Sequence, residues 1–323
     1  MTSSDATRQR LGWIGAGRMG LEMAGRLARA GRDLLVYNRT RAKADPLARA
    51  GARIADRLAE LGEREVVFVM VSTARDVEEV LTGPAGLLTG KGPRPRIVVD
   101  CSSISVESSA RLRAALRQAG VELVAAPVSG NGKVVRAGKL AIVASGPKAA
   151  FEEVRPHLAA IGQSVSYVGE GELARIVKVC HNVFLGVVIQ SLAEITVLAQ
   201  KAGVPRHAFL DFMNGSVLGS VFTRYKTPAL VNLDFAVTFT PELLRKDLDL
   251  GLEAGRKLEV PLPLASLTRD ILQSLLGNGF RDGDFAQLLL LQAKASGIEL
   301  TPEGVEVPDG LSPPASAGPA VTR

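Results

Sequence analysis

Residues 10–20 of this chain read RLGWIGAGRMG, and this segment is the strongest indication of its fold. An apolar run predicts a β-strand, the Gly-x-Gly-x-x-Gly turn of residues 15–20 follows it directly, and a segment of helical period begins at residue 21. In such a unit the glycines allow a tight turn, close approach of the backbone to a pyrophosphate, and tight packing of helix on strand, while the helix N-terminus offers free N–H groups to phosphates. A tight turn without a ligand is the alternative, which this context disfavours. The predicted dinucleotide contacts are Gly15, Ala16, Gly17, Arg18 and Met19.

Outward from this unit, short apolar runs alternate with helical periods as far as about residue 168. Strands that alternate with helices predict a parallel sheet, and runs that are apolar throughout are typical of strands covered on both faces. The expected fold class is α/β, a Rossmann-type doubly wound parallel sheet. The predicted strands are Leu11–Ile14, Leu34–Tyr37, Val66–Val71, Ile97–Val99, Val121–Ala125, Leu140–Ala144 and Ser164–Val168.

The pattern changes after Gly171. Leu173–Ala202 contains no proline and one glycine, so it predicts a single helix of about 45 Å. The later segments are helical in period as well, which predicts an all-α domain that begins with this long interdomain helix. The predicted domains are residues 10–170 for the nucleotide, 171–298 for the substrate and dimerisation, and 299–323, a tail rich in Pro, Gly, Ser and Ala that is expected to be disordered.

Composition limits the classes of function. The chain has 323 residues, of which 46% are hydrophobic and 22% charged, the balance of a globular protein. The first 60 residues hold 12 Lys and Arg against six Asp and Glu, so the whole surplus of +6 lies there. The tail from Thr301 contains one Arg and no Lys, which argues against nucleic-acid binding.

The cysteines, the histidines and the apolar runs argue against a disulfide-bonded, metal-binding, secreted or membrane protein. Cys101 and Cys180 form no Cys-x-x-Cys pair, and the three histidines are scattered, so reduced thiols and no metal site are expected. Residues 1–9 are polar, unlike a secretory signal. Gln190 and Glu194 interrupt the most apolar long stretch, as in a buried helix of a soluble protein. A cytoplasmic protein without membrane contact is expected.

The end of the second predicted strand bears on the choice of cofactor. Asn38, Arg39 and Thr40 stand here, beginning 23 residues after Gly15, where an NAD site usually places Asp or Glu for the ribose 2′-hydroxyl. No acid is present, and a cluster of cations extends to Lys43. Arginine can bind a 2′-phosphate that a carboxylate would repel. We predict these three residues as cofactor contacts and NADP(H) in preference to NAD(H); ordinary solvated charges are the alternative.

Four ordered motifs together resemble the β-hydroxyacid dehydrogenase family, which includes 3-hydroxyisobutyrate dehydrogenase, tartronate semialdehyde reductase and 6-phosphogluconate dehydrogenase. The resemblance covers about residues 10–295. The motifs are GAGRMG at 15–20, APVSG at 126–130 with GKL at 138–140, KVCHN at 178–182, and KDL at 246–248. The resemblance implies an oxidoreductase that transfers a hydride between the nicotinamide and a small 3-hydroxy acid or its semialdehyde, and the cations after the second strand predict NADP(H) as the cofactor.

Lys178 and Asn182 lie one turn apart on the long predicted helix and therefore share a face. In the family this lysine is catalytic, which implies that Lys178 takes the hydroxyl proton in oxidation or returns it in reduction, beside Asn182. A base role requires a pKa lowered toward the working pH. From the residues alone a surface lysine is the simpler interpretation, and the four motifs reverse that preference. His181 is expected to serve packing or an interface, and Cys180 the core.

The resemblance also implies contacts for the substrate. A family serine and the following backbone amides bind the substrate acid, which implies Ser129, Gly130 and Asn131 here. Asn131 replaces the usual glycine; asparagine tolerates the left-handed region better than most residues, and its side chain would enter the site. Lys246 corresponds to a family lysine near both nicotinamide and substrate. The remaining implied cofactor contacts are Val71, Ser72 and Ser103.

Two other functions stay open. Imine reductases that use NADPH resemble the family and often carry Asn-Arg-Thr, but they typically replace the lysine found here at position 178. A non-catalytic NADP-binding or chromatin-associated relative is expected to lose that lysine or to carry a basic tail. The apolar face of the long helix suggests burial between subunits, so a homodimer or homotetramer with a small carboxylate substrate is expected.

Overall fold

The computed structural model describes residues 9–89 and 91–311. The chain divides into two compact units, and the division falls after Lys178. This position lies inside the long helix, eight residues beyond the domain boundary predicted at residue 170.

Six parallel strands form the main sheet of the first unit: β1 Arg10–Ile14, β2 Asp33–Tyr37, β3 Arg53–Ile54, β4 Val66–Val69, β5 Ile97–Asp100 and β6 Glu122–Ala125. Their order is β3-β2-β1-β4-β5-β6, so the winding of the chain reverses between β1 and β4. In open α/β sheets, ligands bind beyond the carboxyl ends of the strands at such a reversal. The doubly wound parallel sheet is confirmed, and it places the glycine-rich turn at this point.

Each face of the sheet has a hydrophobic core of its own. The helices of this unit are α1 Gly20–Arg29, α2 Asp45–Ala48, α3 Ala74–Thr82, α4 Val106–Gln118, α5 Gly132–Arg136 and α6 Lys148–Ile161. On one face Trp13 stacks on Phe68 at 5.6 Å between ring centroids, within a cluster that includes residues of α1 and α6. On the other face Val67 and Val69 cluster with residues of α3 and α4. Burial on both faces explains why the strands are apolar throughout.

A second, three-stranded sheet corrects the strand prediction. Val128–Ser129 (β7) pairs antiparallel with Ala141–Ala144 (β8), which pairs parallel with Ser164–Tyr167 (β9). Two of the predicted strands therefore lie outside the main sheet. Apolar runs indicate burial but do not identify the strand with which each one pairs. The two-residue β3 is too short to show a period and was not predicted.

The second unit is built from helices. The long helix α7, Leu173–Lys201, ends one residue before the predicted end, and 44% of its most apolar window is buried. Its length and mean hydropathy of 1.7 would allow a membrane span, but a core helix passes the same test. The helices after it are α8 Arg206–Gly215, α9 Val221–Asn232, α10 Pro241–Lys257, α11 Pro263–Gly277 and α12 Leu288–Ala295. Helix α9, which contains Pro228, was not predicted.

Residues 299–311 contradict the prediction of a disordered tail. The Glu303 carboxylate accepts hydrogen bonds from the backbone N–H groups of Arg206 and His207, at 2.6 and 2.9 Å, at the start of α8. The Asn232 amide donates to the carbonyl of Val305 at 2.8 Å. Composition misled here because the anchoring partners lie some 70 to 100 residues earlier in the chain. Residues 312–323 lie outside the described part.

Candidate active site

The glycine-rich turn is held by contacts that only glycine permits. Gly15 has φ of 101°, and a Cβ there would lie 2.2 Å from the carbonyl oxygen of Met70. A Cβ at Gly20 would lie 2.0 Å from the carbonyl oxygen of Gly15. The Trp13 indole Nε1 donates to that same oxygen at 2.7 Å, and the Gly15 N–H donates to Tyr37 at 3.0 Å. The turn is therefore closely packed on its inner side.

Gly17 faces the open side of the turn. It is exposed, and a Cβ built there would meet no atom within 4 Å. Helix α1 begins just beyond it, and the N–H groups of Leu21 and Met23 in its first turn donate to the carbonyls of Gly17 and Met19 at 2.9 and 3.0 Å. An open glycine at the positive end of a helix dipole fits a pyrophosphate. The turn thus suits the dinucleotide that its sequence predicts.

Asn38 braces this turn from the end of β2. Its Oδ1 accepts from the N–H of Ala16 at 2.8 Å, and its Nδ2 donates to the carbonyl of Thr40 at 2.7 Å. The side chain of Asn38 therefore bonds to the protein itself and fixes the backbone around Arg39. Arg39 and Thr40 are exposed.

The cations after β2 differ in their partners. Arg41 forms an ion pair with Asp56. Within the described residues no carboxylate lies within 4.0 Å of Arg39 or Lys43, and both are exposed. Of these three cations, Arg39 and Lys43 are therefore the two that could bind an anion without first leaving a carboxylate partner.

The predicted contacts after β4 and β5 meet beside the turn. The Val71 N–H donates to Ser102 Oγ at 3.0 Å, which joins the two segments. A Cβ at Gly15 would lie 3.1 Å from the Val71 side chain. Ser72 is exposed and Ser103 is half-buried. The structure thus brings Gly15, Val71 and the residues before Ser103 together at the reversal of the sheet.

A buried ion pair that the sequence did not predict lies behind these segments. Arg175, in the first turn of α7, is 1% exposed and donates from Nη2 to Asp100 Oδ2 at 2.7 Å, where the Asp100 side chain is fully buried. Arg175 also donates to the carbonyl of Ser102 and to Ser109 Oγ. The sequence indicates this pair only by an arginine in the apolar beginning of a predicted helix. Its partner Asp100 lies 75 residues earlier in the chain.

The segment from Ser129 to Asn131 lies against the glycine-rich turn. A Cβ at Gly132, the next residue, would be 3.3 Å from the carbonyl oxygen of Arg18. Gly130 has φ of 137°, and its Cβ would be 2.8 Å from the Val134 side chain, so the left-handed conformation falls at residue 130. Ser129 is half-buried and Gly130 is exposed.

Asn131 adopts an extended conformation, with φ of −123°, so the suggestion that it occupies the left-handed region is wrong. Its Oδ1 accepts from the N–H of Val134 at 3.1 Å and caps α5. The Nδ2 atom is covered and has no hydrogen-bond partner among the described residues. A glycine would not be required at this position, which explains how the chain accommodates asparagine.

Lys178 and Asn182 both belong to α7, where Lys178 is half-buried and Asn182 is buried. In the second unit, Asn182 Nδ2 donates to Asp247 Oδ2 at 2.6 Å, and Lys246 Nζ lies 3.2 Å from Asp247 Oδ1. His181 Nδ1 lies 2.9 Å from Asn182 Oδ1. Because an amide oxygen only accepts, that histidine nitrogen carries the proton.

These contacts revise two expectations. His181 orients the Asn182 amide in addition to packing. Cys180 is exposed, not part of the core, whereas Cys101 is buried and its thiol has a pKa raised by burial. In the ranges 9–89 and 91–311 no three His, Cys, Asp or Glu side chains gather as metal ligands would.

Family comparisons cover both units. Residues 10–169 match the NAD-binding domain of 6-phosphogluconate dehydrogenase. Residues 172–291 match the domain described as the NAD-binding of NADP-dependent 3-hydroxyisobutyrate dehydrogenase. The two matches include the turn, the Ser129 segment, α7 and the Lys246 motif.

Individual relatives agree with these matches. The chain is 33% identical to an uncharacterised oxidoreductase of Bacillus subtilis over 279 residues, or 85% of this chain and 97% of that protein. It is 29% identical to 2-(hydroxymethyl)glutarate dehydrogenase of Eubacterium barkeri, over 90% of this chain and 97% of the relative. The crystal structure of a 3-hydroxyisobutyrate dehydrogenase from Salmonella typhimurium superposes with a TM-score of 0.79 at 26% identity, covering 88% and 99% of the two chains.

Proposed function

Because the chain belongs to the β-hydroxyacid dehydrogenase family of NAD(P)-dependent oxidoreductases that act on CH–OH donors, we propose that it transfers a hydride between NADP(H) and a small 3-hydroxy acid or its semialdehyde. The observation that carries this proposal is the position of Lys178. It lies three residues after Arg175, which is bonded to the segment that ends in Ser103 beside the glycine-rich turn. A half-buried lysine on a helix whose first turn is bonded to this segment suits a proton transfer coupled to hydride transfer.

The cofactor half of the proposal rests on residues of the first unit. Gly15 to Met19 would hold the pyrophosphate, Val71, Ser72 and Ser103 would contact the nicotinamide side, and Asn38 would shape the ribose end. When bound, the cofactor accepts or supplies the hydride. Lys178 takes up the hydroxyl proton in oxidation or returns it to the carbonyl oxygen in reduction, which keeps the charge balanced.

Other polar groups would bind and orient the substrate. We assign the substrate carboxylate to Ser129 Oγ and the backbone amides of Gly130 and Asn131. Asn182 presents an amide whose orientation is set by its bonds to Asp247 and His181. Lys246 is assigned to substrate and cofactor binding on its family resemblance alone. A carboxylate bound by several N–H and O–H donors is positioned as well as neutralised, which favours the correct angle for hydride transfer.

The catalytic assignment is tested by replacing Lys178 with methionine, which keeps the volume and removes the amine. We expect kcat to fall by about 10²- to 10⁴-fold, the usual contribution of a positioned acid or base, with NADPH binding unchanged. Lys201→Met, on the same helix but bonded to the Ser296 carbonyl, is the matched control and should keep kcat. A Lys178→Met enzyme with more than a tenth of the wild-type kcat would remove Lys178 from this role.

Preference for NADP(H) is supported by Arg39 and Lys43, which have no carboxylate within ion-pair distance in the described chain. Arg39→Ser should lower kcat/KM for NADP+ by about 10- to 100-fold, since a charge-assisted hydrogen bond is worth about 1.5–3 kcal/mol. The value for NAD+ should change less than about threefold by the same argument. Arg57→Ser, which alters an exposed pair with Glu60, is the control. A wild-type enzyme that uses NAD+ as well as NADP+ contradicts the preference.

The substrate is proposed as a class, and the assembly as a homo-oligomer. A screen of NADP+ reduction with C3–C6 hydroxy acids, and of semialdehydes in the reverse direction, identifies the substrate; a panel without turnover contradicts the function. We propose a homodimer or homotetramer in the cytoplasm. The assembly is supported by Phe184 and Leu198 of α7, which are each 69% exposed in the single chain. Sedimentation at micromolar concentration tests it, and a monomer would refute it.

A further inference from the structure

The Arg175–Asp100 pair is more elaborate than a charge pair. Both side chains are buried, with 1% and 0% exposure, and the guanidinium reaches four acceptors. These are the Asp100 carboxylate, the carbonyls of Asp100 and Ser102, and Ser109 Oγ. The acceptors belong to the end of β5, the segment after it, and the first turn of α4. The Arg175 side chain thereby bonds α7 to the end of β5, to the segment after it and to the start of α4.

The acceptors are themselves connected to the predicted cofactor contacts. Asp100 Oδ1 accepts from the Ser102 N–H at 2.9 Å, and Ser102 Oγ accepts from the Val71 N–H at 3.0 Å. Ser103 follows directly. A continuous set of hydrogen bonds thus runs from the segment after β4, through the segment after β5, to the helix that carries Lys178.

We propose that Arg175 is a positioning residue, which fixes the first turns of α7 so that Lys178 is held at a set distance from the nicotinamide-binding segments at Val71 and Ser103. This inference rests on the proposed function, in which Lys178 handles the proton. Residues three apart on a helix lie on neighbouring positions of one face, so an anchor at Arg175 restricts both the rotation and the translation of the turn that bears Lys178.

The chemistry of the pair favours positioning over simple stabilisation. A planar guanidinium presents its donors in fixed directions, so bonds to several acceptors define an orientation that a single contact would not. Buried ion pairs are often no more stabilising than apolar residues of the same volume. A rate that depends on near-attack geometry is sensitive to displacements of about 1 Å, which can cost about 100-fold.

The test is the double variant Asp100→Asn/Arg175→Gln, which removes both charges together and leaves no uncompensated buried charge. A second variant, Arg175→Lys, keeps one bond to Asp100 but lacks the fork that reaches the other acceptors. Lys226→Gln/Asp284→Asn is the matched control, because that pair in the second unit is equally buried, at 2% and 2% exposure and 2.5 Å. The variants are compared at equal concentrations of folded enzyme.

Three quantities are measured. The first is kcat for hydride transfer, expected to fall about 10- to 100-fold in the double variant and less in Arg175→Lys, with KM changed less than kcat. The second is NADPH affinity, read from the fluorescence of Trp13, the only tryptophan, and expected to stay within about threefold. The third is amide hydrogen exchange of residues 173–179 without substrate, expected to accelerate at least about tenfold in the double variant and not in the control.

Unchanged kcat per folded enzyme, or unchanged exchange in both Arg175 variants, overturns the proposal. A loss of kcat of equal size in the control overturns it as well, since the effect would then be general destabilisation. If the double variant does not fold, Arg175→Lys decides by the same criteria. Hydrogen exchange needs no turnover, so a wild-type enzyme without activity on the substrate panel would defeat the proposed function while exchange still decides the anchoring.

Discussion

Substitution of Gly17 by alanine tests the glycine-rich turn directly, because it should weaken cofactor binding without weakening the fold. Its Cβ position is open, whereas that of Gly15 overlaps the Met70 carbonyl oxygen at 2.2 Å. A methyl group at residue 17 projects to the side on which the pyrophosphate is expected. The same change at residue 15 projects into the protein. The two alanine variants should therefore fail in different ways.

The magnitudes follow from these contacts. Alanine at residue 17 should stabilise the unbound protein by about 0.4–1 kcal/mol, since the position lacks a positive φ and alanine restricts the unfolded chain. Loss of one charge-assisted hydrogen bond to the pyrophosphate costs about 1.5–3 kcal/mol, or about 10- to 150-fold in Kd. Alanine at Gly15, with φ of 101°, should cost about 3–5 kcal/mol from backbone strain and overlap, lowering Tm by roughly 6–20 °C.

The assay uses the single tryptophan. Trp13 donates to the Gly15 carbonyl at 2.7 Å, so its fluorescence reports on NADPH at the turn, and thermal unfolding is followed in the same samples. Gly92→Ala is the control, because its Cβ position is also open and lies in another loop. If Gly17→Ala binds NADPH with wild-type Kd, the assignment of this turn to the pyrophosphate is refuted. If it unfolds as early as Gly15→Ala, the conclusion that its Cβ position is open is refuted.

Two further predictions concern pH and the C-terminal segment. Burial, with a smaller effect of Arg32, lowers the pKa of His157 from 6.5 to about 4, so the folded state resists protonation. Its contribution is present above pH 6.5 and is lost as pH falls toward 4, by about 3 kcal/mol. Urea unfolding from pH 7 to 4 should show this loss in the wild type and not in His157→Gln, and equal profiles would contradict it. For Glu303, burial acts to raise the pKa, but hydrogen bonds from His207 and Arg206 outweigh it and hold the pKa below 4.5. Glu303→Gln should therefore destabilise the second unit by about 1–2 kcal/mol above pH 4.5, an effect that shrinks as pH falls through the lowered pKa; equal denaturant midpoints at pH 7 would contradict the capping role.

Features that depend on neighbouring residues were predictable from the sequence. The glycine-rich turn needs a strand, three glycines and a helix within 20 residues, and all of these are contiguous. The long helix was predicted to within one residue at its C-terminus, because its lack of proline and its apolar period are local properties. The family was confirmed for the same reason, since four short motifs in order identify it.

The structure corrects three expectations that local composition and residue type suggested. The tail at 299–311 has a composition typical of disorder, yet Glu303 caps a helix that begins at Arg206. The tolerance of asparagine for the left-handed region is offered as the reason the loop keeps its shape, but Asn131 is extended and the positive φ falls at Gly130. The sequence interpretation places Cys180 in the core, but it is exposed on α7.

The class of fold, the family and the turn that suits a dinucleotide are predictable because each is encoded in the period or spacing of adjacent residues. Which strands share a sheet, where the winding reverses, and which buried side chains pair depend on contacts between residues far apart in the chain. Asp100 and Arg175 are 75 residues apart, and Asn182 and Asp247 are 65. Such pairs form because a buried charge or amide must find a partner once the chain folds, and local sequence carries no record of which partner that is.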